Sequence, residues 1–268
     1  MSVSSDFDSL VLMDSLYIND NLHKIVSLIM VFAGILVFFC LFFVSACYGR
    51  HSSKSIGPSV NNSIGWFIME SVSAVLFFYL FIRSDRRIDP ISIVFVLIWE
   101  FHYIHRAFIF PFQLKGKGKM PVLIAMLAMI FNTGNCYINA GYLFFLSPKY
   151  PSNWYLSPQF IGGTIFFILG YLINKGSDQI LLSLRKPGET AYKIPYGGLF
   201  RFVTSPNYLG EFIEWVGWAI LTWSFSGAIF AFWTFANLLP RAFSHHKWYL
   251  DRFPDYPKDR KRMIPFLL

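Results

Sequence analysis

Charged residues are scarce in this sequence. Only 14% of the 268 residues are Asp, Glu, Lys or Arg, whereas a soluble domain carries about 25%. Hydrophobic residues make up 55% and aromatic residues 20%, and several apolar runs approach the roughly 20 residues that cross a bilayer core. The composition therefore excludes an ordinary soluble domain and predicts an integral membrane protein with several spans.

Cysteine is also rare. The three cysteines, Cys40, Cys47 and Cys136, fall within apolar runs and have no CxxC spacing. This pattern argues against a disulfide framework or a cysteine-bound metal and favours small, buried apolar residues. We expect no metal site.

Seven apolar segments are candidate transmembrane helices, which predicts one all-α bundle spanning residues 1–268 as a single domain. An acidic segment, 1–23, precedes them without the basic flank of a signal peptide, and a basic tail, 241–268, follows. The last three segments are short or interrupted, so the apolar pattern defines their ends less sharply. The segments are 25–47, 64–82, 91–110, 121–146, 160–173, 208–223 and 228–239.

The distribution of basic residues predicts the orientation of the bundle. Seventeen of the 23 Lys and Arg residues lie in the tail and in three segments on one predicted side: 48–63, 111–120 and 174–207. Because basic residues favour the cytoplasmic side, we expect a cytoplasmic C-terminus and an outside N-terminus. The net charge of +8 is then explained by topology and by attraction to anionic lipid headgroups. No nucleic-acid-binding motif accompanies it, so no nucleic-acid partner is expected.

The stretch LIWEFHYIHRAFIF, residues 97–110, places ionisable groups inside an apolar segment. Such groups are costly in a membrane and usually face a protein interior or a watery cavity. On a helix, Tyr103 and Arg106 share one face with Trp99 and Phe110. The alternative is that the histidines and the arginine lie near a helix end and reach the interface.

Glu70 is the only charged residue of the second apolar segment. A lone acid in such a run is more typical of a functional site than of a tolerated substitution. Together with Tyr103, it favours a polar site within the bundle.

Two further polar concentrations lie toward the C-terminus. The first, 174–214, ends with Glu211 and Glu214, one turn apart on a helix that starts after Pro206. The second is a stripe with four-residue spacing that suits a phosphate-rich, ring-bearing cofactor, formed by Arg241, His245 and Tyr249. The run PKDRKR in the tail is interpreted, by itself, as an ordinary solvated basic segment.

The motifs LRKPGE, IPYGGLF, SPNYLGEFIEWVGWA and RAFSHHKWYLDRFPDYPKDRKRMIPF resemble the C-terminal half of the steroid 5α-reductase family. YGRH, WFIME and FHYIHRAFIFP extend the resemblance through the N-terminal half. The resemblance covers nearly the whole chain after about residue 30. It implies a seven-helix membrane enzyme that reduces the carbon 4–5 double bond of 3-oxo-4-ene steroids with NADPH.

The resemblance also implies residue roles. Glu70 and Tyr103 match the catalytic pair that holds the steroid 3-keto oxygen. The implied cofactor-binding residues are Tyr48, Asn174, Asp178, Arg185, Asn207, Arg241, His245 and Tyr249. The implied cavity-lining residues are Arg106, Glu211 and Glu214. Two departures occur: Met69 stands where animal members often have Gln, which bears on steroid preference, and Ser244 replaces the first histidine of a triplet.

The chemistry explains why these residue types are needed. Hydride delivered to the β-carbon of an enone places negative charge on the carbonyl oxygen, and donors fixed there stabilise that charge. Tyr103 can donate from its phenol, whereas Glu70 can donate only when protonated, a form that apolar surroundings favour for any carboxyl group. A cationic partner for the 2′-phosphate of NADPH could come from Arg185 or Arg241.

Other functions fit the sequence less well. The run KGKGKMP lacks the third glycine and the preceding strand of a Rossmann fingerprint. A di-iron hydroxylase needs more histidines than the six present. A membrane methyltransferase using S-adenosylmethionine could share the PNYLGE turn but not the Glu70–Tyr103 pair, and a non-enzymatic lipid-binding or transport protein would not need three polar stripes.

The substrate and setting follow from the resemblance. The substrate is a steroid or, alternatively, another lipid enone or a polyprenoid. We expect a monomer surrounded by membrane lipids, because the site fits within one chain. The membrane would be the endoplasmic reticulum or a bacterial inner membrane, with the cofactor site facing the cytoplasm.

Overall fold

A computed structural model describes residues 18–43, 57–115, 118–185, 189 and 191–268. Within these residues the chain forms seven long helices, numbered in chain order. They are α1 Asp20–Phe43, α2 Asn62–Arg83, α3 Pro90–Gln113, α4 Val122–Leu146, α5 Pro158–Ser183, α6 Pro206–Thr222 and α7 Phe225–Arg252.

The helices begin where the sequence supplies capping groups. Asn61 accepts a hydrogen bond from the backbone of Ser63 at the start of α2 (2.8 Å), and Asp89 accepts one from Ser92 at the start of α3 (2.8 Å). A proline occupies the first turn of α3, α5 and α6. Its fixed φ and missing N–H suit this position, so local sequence sets these starts.

The helices α1 to α5 are long and apolar enough to cross a membrane. This agrees with the predicted helical membrane architecture. In α1 only Ser27, Met30 and Gly34 are buried, and its exposed side chains are mostly large and apolar, as lipid contact requires. Among the described helices, α6 is shorter, with 17 residues including Glu211 and Glu214, and the C-terminal part of α7 is polar.

Two predicted boundaries are wrong. The fifth apolar segment was expected to end at residue 173, but α5 continues to Ser183. Asn174 and Asp178 therefore lie on a helix rather than in a loop, and both are buried. Likewise α7 continues through Pro240 to Arg252, so only the last 16 residues of the predicted tail are non-helical. In both helices the apolar pattern fades before the helix ends, because polar residues occur there, some buried, such as Asp178 and His246, and others exposed, such as Lys247.

A small two-stranded sheet was not predicted. Strands β1, Ser59–Asn61, and β2, Lys119–Pro121, pair antiparallel with Val60 opposite Met120. Each strand has three residues, too few to give a recognisable alternating pattern. The sheet joins the segments that lead into α2 and α4, and so aligns the starts of these two helices.

Aromatic rings fill the core between α2, α3, α4 and α6. Phe77 stacks on Trp99 with centroids 4.2 Å apart and planes 8° apart, and Trp99 also contacts Trp218 at 5.2 Å. Cys136 is fully buried in this core, as predicted. Cys40 is exposed on α1, so the buried interpretation is wrong there, and Cys47 lies outside the described residues.

A line of glycines brings α5 and α6 unusually close. Gly163 and Gly170 on α5 face Gly217 and Gly210 on α6. A Cβ atom at Gly170 would lie 2.6 Å from the Cα of Glu214, which is far inside normal contact. Small residues allow helix backbones in membranes to approach in this way. The contact places the polar residues of both helices within hydrogen-bonding distance.

The tail packs against the segment that precedes α6. Thr204 N donates to the carbonyl of Lys261, and Lys261 N donates to the carbonyl of Phe202, both at 2.8 Å. The Thr204 hydroxyl also contacts His246 Nδ1 at 2.6 Å and the Tyr256 hydroxyl at 2.8 Å. Arg260 is only 4% exposed, so the interpretation of PKDRKR as a solvated run is wrong for this residue.

Candidate active site

The predicted polar stretch of α3 contains a change of helix type. Residues Ile104–Ile109 form a π-helical turn, in which Phe110 N donates to the carbonyl of His105. Pro111 follows and has no N–H to continue an α-helical ladder. Such turns occur frequently at functional sites. The turn lies directly after Tyr103, which is 3% exposed, and contains Arg106, whose side chain is 14% exposed.

Two polar contacts connect α3 with α6. His102 Nδ1 lies 2.7 Å from Glu214 Oε1, with side chains 6% and 0% exposed. One turn further along, Arg106 Nη2 lies 3.6 Å from Glu211 Oε2. His102 is therefore buried against α6 and does not reach toward the membrane surface, so the helix-end alternative is wrong for this histidine.

Arg106 is part of a buried polar cluster from three helices. Its Nη1 lies 3.3 Å from Asp178 Oδ2 on α5. Asn207 on α6 donates to Asp178 Oδ1 at 3.0 Å. Asn174 donates to the Asn207 carbonyl at 3.0 Å and to Glu211 Oε2 at 3.3 Å. Five residues predicted at separate points of the sequence thus form one hydrogen-bonded group.

The Arg106 guanidinium is also enclosed by rings. Its Cζ lies 4.5 Å from the Trp66 ring and 4.7 Å from the Phe110 ring. Buried charges need pairing, and the two carboxylates together with the two aromatic faces supply it. The arrangement fixes the position of Arg106.

Glu70 and Tyr103 lie beside this cluster. Glu70 on α2 interacts electrostatically with Arg106 and Glu211 and neighbours the Asn132 side chain. Tyr103 interacts with Glu70, and its ring lies 5.0 Å from that of Trp99 and 5.7 Å from that of Trp215. The Glu70 carboxyl and the Tyr103 phenol, predicted as a pair, are therefore close in space.

The predicted stripe on α7 lies next to the start of α6. Arg241 Cζ is 5.5 Å from the Tyr208 ring, and the Tyr208 and His245 rings are 5.4 Å apart. Tyr249 is 2% exposed and stacks on Tyr256 at 5.0 Å with planes 12° apart. One helix carries all three predicted residues, as expected, but Tyr249 is covered by the tail.

The remaining two predicted cofactor residues lie elsewhere. Arg185 follows the end of α5, with its Cζ 4.0 Å from the Tyr192 ring. Tyr48 lies outside the described residues. Among the residues that the structure describes, no hydrogen bond or ion pair joins Arg185 to the polar cluster around Arg106.

Comparison with known proteins identifies the family. The family model described as 3-oxo-5-alpha-steroid 4-dehydrogenase matches residues 118–268, which is more than half of the chain. The chain belongs to this family. A protein of Arabidopsis thaliana named "Steroid 5-alpha-reductase DET2" is 41% identical over 248 residues, covering 90% of this chain and 94% of that protein.

Other relatives come from plants and animals. The human protein "3-oxo-5-alpha-steroid 4-dehydrogenase 1" is 42% identical over 225 residues, covering 83% of this chain and 86% of that protein. A cotton protein, from Gossypium hirsutum, named "Steroid 5-alpha-reductase DET2", is 39% identical over 232 residues, covering 85% and 90%. The resemblance proposed from the sequence motifs is thus confirmed.

In this member of the 3-oxo-5-alpha-steroid 4-dehydrogenase family, sequence reasoning missed one buried contact. Glu214 was predicted to line a cavity, but its partner His102 was not identified. The sequence contained a signal for this pairing. His102 and Arg106 are four residues apart on one helix, and Glu211 and Glu214 are three residues apart on another. Residues at these spacings are neighbours on a helix surface, so one contact between the helices implies the other.

Proposed function

We propose that this chain reduces the carbon 4–5 double bond of 3-oxo-4-ene steroids with NADPH. Family membership supports the reaction, because the relatives are named as steroid 5-alpha-reductases and 3-oxo-5-alpha-steroid 4-dehydrogenases. The observation that carries the residue assignment is the buried site in which Glu70 and Tyr103 lie beside the Arg106 cluster.

Glu70 and Tyr103 would act on the steroid 3-keto oxygen. Negative charge develops on this oxygen as the double bond is reduced, and preorganised donors stabilise it. The Tyr103 phenol donates one hydrogen bond, and the protonated Glu70 carboxyl donates another. Because Trp99 and Trp215 pack on the Tyr103 ring, the phenol is held in place before the substrate arrives.

The donor set of the described residues fits NADPH. Arg241 and Arg185 offer guanidinium groups, which bind phosphate oxygens well, and each lies against a tyrosine ring. Asn174 and Asn207 offer amides that can pair with a carboxamide. When bound, NADPH supplies the hydride. The chain's residues would hold and orient it. Arg106 and Asp178 would fix the Asn174 and Asn207 amides through the hydrogen bonds of the polar cluster.

We also propose seven spans with the N-terminus outside and the C-terminus in the cytoplasm. At 1.5 Å per residue, the 17 residues of α6 extend about 25 Å, close to the bilayer core of about 30 Å. The basic residues of the tail favour the cytoplasmic side. The membrane would be the endoplasmic reticulum or a bacterial inner membrane, and the enzyme would work as a monomer.

The reaction is tested with purified protein, NADPH and a panel of 3-oxo-4-ene steroids, with mass spectrometry to detect a two-hydrogen gain. Loss of one oxyanion donor typically costs about 100- to 1000-fold in rate, so Tyr103→Phe and Glu70→Ala should lose this much while NADPH binding remains. Glu70→Gln keeps a donor and should retain more activity than Glu70→Ala. Near-normal reduction by both Tyr103→Phe and Glu70→Ala would refute the assignment.

The topology is tested by cysteine labelling in a background in which the three native cysteines are replaced. A cysteine at Lys258 should react with an impermeant reagent only when the cytoplasmic side is open. A cysteine at Ser5 should react only from the opposite side. Labelling of both positions from one side would require an even number of spans and would contradict the proposed orientation.

A further inference from the structure

A cavity lies beside the tail, outside the residues assigned to the candidate active site. Its volume is about 470 Å³, and it lies between the turn that precedes α6 and the tail that follows α7. None of the residues predicted for steroid or cofactor binding lines it. The lining residues are Tyr196, Gly197, Gly198, Arg201, Pro257, Asp259 and Arg260.

Arg260 gives this cavity a buried guanidinium that is only partly hydrogen-bonded. Its side chain is 4% exposed, and its Cζ lies 5.1 Å from the rings of both Tyr196 and Tyr256. Its Nε and Nη1 atoms have no hydrogen-bond partner among the described residues. An arginine in this condition is costly, and its planar edge matches a phosphate or carboxylate. Arg201 adds a second guanidinium to the same cavity.

The rim beside Arg201 is apolar and exposed. Phe202, Phe266 and Leu267 are 38%, 82% and 72% exposed, and the rings of Phe202 and Phe266 lie 5.6 Å apart. Phe266 has φ = 64°, a left-handed conformation that is strained for a residue with a side chain. Strained backbone conformations of this kind cluster at ligand-binding sites.

We propose that this cavity binds the phosphate group of a membrane phospholipid, with the acyl chains along Phe202, Phe266 and Leu267. The two arginines and Asp259 give the cavity a net charge of about +1, which complements the single negative charge of a phosphodiester. A soluble phosphate would use the charge but not the apolar rim. A lipid uses both, and the tail residues Met263, Ile264 and Leu268 already pack in one cluster with Phe38 of α1, a helix apolar enough to cross a membrane.

The test uses the purified full chain in nanodiscs with native mass spectrometry of retained lipid. The probes are phosphatidylglycerol, its uncharged diacylglycerol counterpart and inorganic phosphate. Loss of one charge-assisted contact typically costs about 10-fold in affinity, so Arg260→Gln and Arg201→Gln should each reduce phosphatidylglycerol retention by about this factor. Lys258→Gln is the matched control, because it removes the same charge from an exposed neighbour outside the cavity lining, and it should retain the lipid.

Two further variants separate the parts of the site. Phe266→Asn tolerates the left-handed backbone but deletes the ring, so it should weaken lipid retention. Asp259→Asn removes a repulsive carboxylate and should strengthen it. Because Arg201 is exposed, Arg201→Gln keeps the test valid if Arg260→Gln does not fold.

Three results would overturn the proposal. Equal loss with Lys258→Gln would mean diffuse charge attraction only. Displacement of the lipid by inorganic phosphate at similar concentration, with no effect of Phe266→Asn, would mean a soluble phosphate ligand. Displacement by stoichiometric NADPH would mean that the cavity belongs to the cofactor site.

Discussion

Replacing Gly170 by alanine should separate α5 from α6 and disrupt the polar cluster. A methyl group there would lie 2.5 Å from the carbonyl oxygen of Gly210 and 2.6 Å from the Cα of Glu214. Because carbon atoms pack at about 3.5–4.0 Å, the helices must move apart by about 1 Å. The neighbours are backbone atoms, so no side-chain rotation can relieve the overlap.

The movement determines the expected magnitude. The hydrogen bond from Asn174 to the Asn207 carbonyl, now 3.0 Å, would lengthen to about 4 Å and be lost. Overpacking costs about 1–3 kcal/mol, and each lost hydrogen bond about 1 kcal/mol. We therefore expect Gly170→Ala to reduce the free energy of unfolding by about 2–4 kcal/mol and to weaken NADPH binding.

The control is Gly176→Ala on the same helix, where an added Cβ meets nothing within 4 Å. Alanine there should be neutral or stabilising, because it is about 1 kcal/mol better than glycine in a helix. Thermal unfolding of the two purified variants, with and without NADPH, gives the comparison. If Gly170→Ala unfolds at the same temperature as Gly176→Ala and binds NADPH normally, the close contact of α5 and α6 does not exist as described.

Three further predictions concern other contacts. His102→Ala and Glu214→Ala should each reduce the free energy of unfolding by about 1–3 kcal/mol, because each leaves a buried polar partner without its hydrogen bond. A double-mutant cycle measured by unfolding should give a coupling energy clearly different from zero. Burial, and next the charge of Arg262, lower the pKa of His246. The unfolded chain therefore binds a proton near pH 6.5 that the folded chain does not, so the unfolding temperature should fall as the pH drops below about 6.5. If the slope of unfolding temperature against pH is unchanged in His246→Asn, this prediction is wrong. Arg241→Ala should weaken NADPH affinity by about 10-fold or more in a fluorescence titration, with little change in unfolding temperature without cofactor; unaltered affinity would show that Arg241 does not contact the cofactor.

The sequence was informative where a residue conflicts with its surroundings. Glu70 and Tyr103 stand out in apolar segments, and the structure places them close together. The four-residue spacing of Arg241 and His245 predicted that they share one face of a helix. Both residues lie on α7. Conflicts of this kind can be recognised without knowing what the residue contacts.

The parts that could not be predicted depend on contacts between distant segments. Gly170 and Gly210 are ordinary in composition, and only the close approach of α5 and α6 gives them a role. The end of α5 at Ser183 was missed because Asp178 lowers the hydropathy while it packs against Asn207. Hydropathy indicates whether a residue prefers water or lipid. It does not show that a residue such as Asp178 contacts other protein groups.

The contact between the tail and the segment before α6 has a consequence for biosynthesis. Chains emerge from the ribosome N-terminus first, so Thr204 is made well before Lys261, to which its backbone is bonded. The segment before α6 therefore cannot make these backbone bonds until Lys261 has emerged. Until then the helices made earlier would lie in the membrane without all of their final contacts. Quality-control factors that recognise unassembled polar residues within membranes could act during this interval.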